Sequence, residues 1–324
     1  MSAHGSVAVL MGGPSGEHGI SLKSGRGVAL ALAELGWDVE TLELPRHGTA
    51  ADAADAVRRH MTQRRPDVTF IALHGPFGED GTIQEVCEEL HIAYTGSEVA
   101  ASRLGMDKIA SRAAFTAAGL AVPRCRVLAP GAAETAGWPR EGELPAVVKP
   151  SNQGSSLGVS LVERPEEWAR AVEAAAAFGA PVLIEEYVRG RELTVGVVGE
   201  RVLPVVGVVP RHAFFDFDAK YTAGETRYEV PAALDEASAR RVQDAGWLAH
   251  RAIGARHFSR TDLILREDGT PVVLEVNTIP GFTPTSLLPK AAACVGLSYG
   301  ALCETLVQLA WLPAAAAAAG EGGR

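Results

Sequence analysis

The most constraining stretch of the chain is 258–277, FSRTDLILREDGTPVVLEVN. An alternating apolar run meets Asp-Gly and passes into a second β-rich run, PVVLEVN. Asp-Gly between two such runs is the strongest short signal for a β-hairpin. If Asp268 and Gly269 form a two-residue turn, Asp262 faces Glu275 across the ladder. Asn277 then lies on the same face, two residues further along. Two carboxylates this close repel unless a positive group sits between them. Hard divalent cations such as Mg²⁺ take oxygen ligands of this kind and keep positions open for substrate phosphates. Arg260 precedes Asp262 by two residues, and the turn-rich Asn277-Thr278-Ile279-Pro280-Gly281 follows the ladder. A metal, a cation and backbone N–H donors together suit phosphate or a developing oxyanion. The plainer alternative is a solvent-facing hairpin with scattered acids.

At 324 residues, 47% hydrophobic and 21% charged, the chain is long enough for two or three domains with a sizeable core. Its net charge of −9 argues against nucleic acid or an anionic membrane as partner. No apolar run is long enough to span a membrane and no signal peptide is expected. Four scattered cysteines without CxxC spacing (Cys87, Cys125, Cys294, Cys303) read as reduced thiols of a cytoplasmic protein. Only five residues are lysine (23, 108, 149, 220, 290), so a lysine inside a motif is informative.

In chain order, SVAVLMGG, a loop and helix over 14–37, and VETLEL form a βαβ unit that begins a parallel sheet. The glycines do not match G-x-G-x-x-G, which excludes a dinucleotide fingerprint and with it a Rossmann-type dehydrogenase. Glu17 sits just ahead of the helix, either as a helix-start acid or as a carboxylate for a substrate ammonium. Residues 49–64 read as a helix and DVTFIALHG as a buried strand; His74 and Glu79 occupy the loop at its C-terminal end, where ligands sit in open α/β sheets. A first domain is expected over 1–98.

The stretch 97–119 reads as helical and carries Lys108. Lys149 ends the strand LPAVVKP, and the Gly-Ser-Ser run after it presents N–H groups and hydroxyls as a nest for phosphate, or else is a flexible hairpin. Residues 181–199 read as strand, turn and strand, with Glu185, Glu186 and Glu192. The polar and aromatic segment 212–229 is too long for a simple connection, contains Lys220 and Tyr221, and reads as a lid. Helices close the chain, and the Ala/Gly-rich tail 313–324 is expected to be flexible.

Eight motifs in order now carry a resemblance: GGPSGEHGISLKSG (12–25), ALHGPFGEDG (72–81), MDK (106–108), VVKPSNQGSSLGVS (147–160), EEYVRGRELTV (185–195), DAKY (218–221), RTDLIL (260–265) and EVNTIPGFTPTSLLP (275–289). Together they resemble the D-alanine–D-alanine ligase family of the ATP-grasp superfamily, from Val7 to about Leu312. The fold class implied is mixed α/β and α+β. A Rossmann-like parallel-sheet domain (1–98) precedes a central ATP-grasp subdomain (99–185) and a catalytic subdomain (186–312). The resemblance implies that Glu17, helped by His74, holds the ammonium of a first D-alanine. It places Lys108 and Lys149 on ATP phosphates, the backbone around Glu186 and Val188 at the adenine, Glu192 on the ribose, Lys220 on ATP from the lid, and Glu185 among the ATP-binding residues. Ser155 and Tyr221 join Glu17 in a hydrogen-bonded set that closes the lid. Arg260 and the Gly281 N–H stabilise the transition state; Asp262, Glu275 and Asn277 bind two Mg²⁺, with Mn²⁺ as the alternative; Ser286 and Leu287 place the second D-alanine. It further implies a cytoplasmic homodimer acting on D-alanine and ATP for peptidoglycan synthesis. Gly19 and Ile20 depart from the usual acid and Val, and Gly costs roughly 1 kcal/mol relative to Ala inside a helix. The competing readings are another ATP-grasp carboxylate–amine ligase and a catalytically silent nucleotide- or amino-acid-binding protein.

Overall fold

The computed structural model describes residues 5–131, 137, 139–154, 157–210 and 226–321. A continuous apolar run forms β1 (Ser6–Gly12), buried along nearly its whole length as the centre of a parallel sheet must be. It is followed by α1 (His18–Glu34), β2 (Asp38–Leu44), α2 (Ala50–Arg64), β3 (Val68–Ile71), α3 (Thr82–Glu89) and β4 (Ala93–Tyr94). The strands pair in parallel in the order β2-β1-β3-β4. Thr49 and Asp52 close a reciprocal capping box at the start of α2.

The 97–119 stretch is two helices, α4 (Val99–Met106) and α5 (Lys108–Ala117). Asp107 between them has extended backbone, and its carboxylate accepts the N–H groups of Ile109 and Ala110 at 2.8 and 3.1 Å. An N-cap of this kind starts a helix afresh. It therefore sets Lys108 at the first position of α5.

Next come β5 (Cys125–Leu128), β6 (Ala146–Pro150), β7 (Ser160–Val162), a 3₁₀ turn (Pro165–Glu167), α6 (Trp168–Ala176) and β8 (Val182–Glu186). These strands form an antiparallel sheet, β5-β8-β6-β7, backed by Trp168 and Val172 of α6 against Val148 and Ile184. The remaining elements are β9 (Arg191–Val198), β10 (Arg201–Val202), β11 (Val206–Pro210), β12 (Thr226–Glu229), α7 (Glu236–Ala252), β13 (Phe258–Leu265), β14 (Pro271–Asn277), α8 (Leu287–Ala293) and α9 (Tyr299–Glu321). Their sheet runs β12-β11-β9-β13-β14, with β10 paired to β9. The strand–turn–strand of 181–199 is therefore not a hairpin. β8 and β9 lie in different sheets, and residues 187–190 cross between them.

Chain ends meet at the first sheet. Leu302, Cys303, Leu306 and Val307 of α9 are buried in one core with Val7, Val9, Phe70 and Ile71. α9 continues through Pro313 and the alanine run to Glu321, where the sequence leads one to expect a flexible tail.

The 258–277 hairpin forms, but not with the expected turn. Near the loop Leu265 faces Pro271, and Arg266 N–H bonds to Thr270 O at 3.0 Å. Glu267, Asp268 and Gly269 thus make a three-residue loop. Gly269 takes φ +80, whereas Asp268 is not among the positive-φ residues. The register shifts between Asp262 and Leu263, where Leu274 is the extra residue of a β-bulge. The bulge cancels the offset of the longer loop. Asp262 faces Glu275 as expected, through two compensating departures from a regular hairpin.

Asp268→Gly separates the observed loop from a two-residue type I′ turn, and Gly269→Ala tests the left-handed glycine that both would need. Gly269→Ala should lower stability by about 1–2 kcal/mol, the cost of a left-handed conformation for an L-residue. Asp268→Gly would relieve a type I′ turn but should not stabilise this one, because it removes the Asp268 carboxylate that accepts Thr270 N–H at 2.9 Å. Urea unfolding midpoints decide; a raised midpoint for Asp268→Gly would contradict the three-residue loop.

Candidate active site

β13 and β14 form the floor of the site. Strand alternation puts Arg260, Asp262 and Ile264 on one face. The bulge turns Leu274 and Glu275 both toward the same cavity. Asp262 accepts two bonds from Arg260, Nε and Nη2 each at 2.7 Å, and a third from Asn277 Nδ2 at 3.2 Å. Glu275 Oε2 lies 3.0 Å from Lys108 Nζ, which also donates to the Gln153 carbonyl at 2.7 Å. The two acids are thus each matched to a cation, one from the same strand and one from the start of α5. The expected convergence of Asp262, Glu275, Asn277 and Arg260 holds, and it includes Lys108.

Above this floor lies a cavity of about 480 Å³ between the two antiparallel sheets. Its walls combine apolar surface (Val147, Val159, Val188, Ile264, Leu274) with Lys108, Lys149, Glu185 and Glu192. Apolar walls with a few convergent polar groups suit a small-molecule ligand. Glu185, only 3% exposed, accepts from Lys149 Nζ at 2.7 Å on one oxygen and from Arg112 Nη1 at 2.9 Å on the other. Glu186 is bonded by Arg124 at 2.7 Å and Arg266 at 2.9 Å. Burial opposes the ionised form of Glu186, but bonds from the Arg124 side chain and backbone outweigh it and hold its carboxyl below the usual range.

The first domain stands beside this cavity rather than lining it, and its Glu79 borders a smaller pocket shared with Lys108, Gly154, Glu275 and Asn277. Glu17 stands at the start of α1, and a methyl group on Gly154 would come within 3.1 Å of its Oε1. Gly154, which opens the Gly-Ser run after Lys149, therefore lies against Glu17. His74 is buried, with Nδ1 3.0 Å from Ile279 O and Nε2 2.9 Å from Ser24 Oγ. Burial penalises its charged form, but the Glu79 carboxylate at 3.7 Å, Glu17 and the Ile279 carbonyl prevail and raise its pKa above the ordinary 6.5. Ser24 Oγ also accepts Phe282 N–H at 3.3 Å, so contacts from the first sheet flank Gly281 on both sides. Ser286 caps that loop by accepting Thr283 N–H at 3.0 Å, and Leu287 opens α8.

Ser155, Lys220, Tyr221 and most of the expected lid lie outside the described residues. Sequence reasoning passed over Arg112, Arg124, Arg266 and the apolar pair Ile264 and Leu274. Arg112 had a signal, since it follows Lys108 by one helical turn in KIASR. Leu274 had none, because the bulge that exposes it is not written in the alternation. Among the described residues no three His, Cys, Asp or Glu side chains gather as a metal cluster. Two carboxylates with an amide oxygen nevertheless match Mg²⁺, which is held by one or two carboxylates plus substrate phosphates.

Two family models match the chain: "D-ala D-ala ligase N-terminus" over residues 45–97 and "D-ala D-ala ligase C-terminus" over 115–308. A D-alanine–D-alanine ligase of Anaeromyxobacter sp. (strain K) is 46% identical over 312 residues, which are 95% of this chain and 97% of that protein. The structure of D-alanine–D-alanine ligase from Bacillus anthracis complexed with ATP superposes with a TM-score of 0.80 at 27% identity, covering 97% of this chain and 99% of that one. VanG D-Ala:D-Ser ligase from Enterococcus faecalis gives a TM-score of 0.79 at 28% identity, covering 94% and 99%.

His74 supplies a test by pH. A folded-state pKa raised above the unfolded value adds stability that is fully present below about 6.5 and disappears as pH rises through the folded value. The unfolding free-energy difference between the wild type and His74→Asn should therefore be largest near pH 6 and shrink on the alkaline side. A difference that grows with pH would show that His74 is held neutral in the folded chain, and one flat in pH would show that folding leaves its pKa unshifted.

Proposed function

The chain belongs to the D-alanine–D-alanine ligase family, and we propose that the cavity floored by β13 and β14 is where it works. It is an ATP-dependent ligase that joins two D-alanines into D-alanyl-D-alanine for peptidoglycan synthesis. The observation that carries the placement is the pairing of Asp262 with Glu275, each already holding a cation, beneath a nucleotide-sized cavity.

The carboxylate of the first D-alanine attacks the γ-phosphorus of ATP. A carboxylate O–P bond forms, the bridging O–P bond breaks, and ADP leaves. The ammonium of the second D-alanine loses a proton and its free amine attacks the acyl phosphate carbon. A C–N bond forms, the C–O bond to phosphate breaks, and inorganic phosphate departs. Both steps depend mainly on positioning and charge neutralisation. In the proposed division of labour, Lys108 and Lys149 neutralise the ATP phosphates. The backbone around Glu186 and Val188, where β8 passes into the crossing, takes the adenine, Glu185 holds Lys149 toward the ATP, and Glu192 takes the ribose. Arg260 and the Gly281 N–H stabilise charge at the reacting phosphoryl and carbonyl oxygens. Asp262, Glu275 and Asn277 would hold Mg²⁺ or Mn²⁺, which when bound screens the phosphate charge. Glu17 receives the first ammonium. His74 helps from behind, because its ring nitrogens face Ser24 and Ile279. Ser286 and Leu287 lie at the proposed place of the second D-alanine. Ser155, Lys220 and Tyr221 complete the closing lid in this reading, which excludes water from the acyl phosphate.

The same proposal divides the chain into a substrate domain (1–98), two ATP-grasp subdomains (99–185 and 186–312) and a tail (313–324), assembled as a homodimer in the cytoplasm. Four cysteines without a disulfide and the need for ATP support that compartment. Among the described residues no helix is long and apolar enough to cross a membrane.

The test is ADP release with ATP, Mg²⁺ and D-alanine as sole amino acid, followed by product identification. Arg260→Ala should lower turnover on the order of 10²–10³-fold, as loss of an oxyanion donor does. Full turnover in that variant would remove Arg260 from the transition state and count against the placement, and failure of D-alanine to support ADP release would overturn the choice of substrate.

A further inference from the structure

We propose that Arg112 is a positioning residue for the nucleotide phosphates: by holding one oxygen of Glu185, it leaves the Lys149–Glu185 pair with a surplus positive charge beside the cavity. The proposal rests on the reading of Lys149 as a phosphate ligand. Glu185 is 3% exposed, and its two partners, Arg112 and Lys149, are 12% and 9% exposed. One anion with two cations carries a net charge of +1 in a place nearly closed to water. Without Arg112 the pair would be neutral, and the Lys149 ammonium would meet a polyanion with its charge cancelled from behind. Such a difference counts for more in a poorly hydrated wall than in bulk water.

The geometry favours Arg at this position. Its second nitrogen donates to the Pro123 carbonyl, and Pro123 itself borders the cavity. The planar fork can hold a carboxylate and a carbonyl together, which an ammonium cannot do in the same fixed plane. Its helix also places the charge. Lys108 opens α5 and reaches Glu275, while Arg112, one turn later, reaches Glu185. A single helix thus serves a carboxylate on the floor and another on the opposite wall. A merely structural role, tying the segment before β5 to β8, would use the same bonds. It would affect every ligand alike.

Calorimetric titration of the full chain with ATP and Mg²⁺, and separately with adenosine, distinguishes the two. Arg112→Gln should weaken ATP about tenfold, the effect of one unit charge at this range, and leave adenosine unchanged. Arg112→Lys should keep most of the ATP affinity. The double variant Arg112→Gln/Glu185→Gln restores the net charge and should recover most of the lost ATP affinity. Equal losses for ATP and adenosine, or no recovery in the double variant, would overturn the proposal. Should Arg112→Gln not fold, the double variant has no buried carboxylate left short of a partner and carries the test alone: near wild-type ATP affinity supports the proposal, and a large loss defeats it. ATP binding undiminished in Lys149→Gln would sink the reading of Lys149 itself, an outcome separable from failure of the Arg112 variants.

Discussion

Compensation of charge in a half-dry cleft is the condition the rest of this structure satisfies. Asp262, Glu275 and Glu185 stand around one cavity, and each is held by a cation at bonding distance: Arg260, Lys108, and the pair Lys149 and Arg112. Carboxylates this poorly exposed would repel one another if left unmatched. The same cations are the groups a polyphosphate would attract. In the proposed reading, acids and bases that stabilise each other in the chain alone are the groups that would meet a nucleotide and its metal.

Each charge arrives on a different element, so the fold is needed to bring them together. β13 and β14 deliver the acids from one antiparallel sheet, β6 and β8 deliver Lys149 and Glu185 from the other, and α5 reaches both. The bulge at Leu274 sets the register that makes Asp262 meet Glu275. From the parallel sheet, His74 and Ser24 grip the loop around Gly281 at Ile279 and Phe282. Tyr299 fixes the same loop by bonding to Phe282 O at 2.8 Å. The loop around Gly281 is in this way tied to the first domain and to α9 through hydrogen bonds rather than through one continuous strand.

Much of this could be read from the residues. The βαβ opening and the parallel first sheet follow from periodicity, whereas Asp262 meets Glu275 as expected only because a bulge offsets a loop one residue longer than the expected turn. What escaped was set by packing and pairing. The Asp-Gly signal gave the hairpin but not its loop length, since Gly269 serves a three-residue loop as well as a two-residue turn. Asp107 reads as part of a helix by composition, and only its extended backbone makes it a cap. The strand, turn and strand read over 181–199 are present, but alternation does not reveal that β8 and β9 join different sheets. Arg112 has no motif beyond its spacing from Lys108, and its partner is 73 residues away. The lid residues named from the sequence lie beyond what the structure describes.

The measurement that reaches the central claim most directly is a crystal structure of the chain with ATP and Mn²⁺, using the anomalous signal of the metal. The expected result is manganese held by the carboxylates of Asp262 and Glu275 at about 2.1 Å, under the terminal phosphates in the cavity between the two antiparallel sheets. Manganese bound elsewhere, with the nucleotide outside that cavity and the Arg260–Asp262 and Lys108–Glu275 pairs untouched, would contradict it.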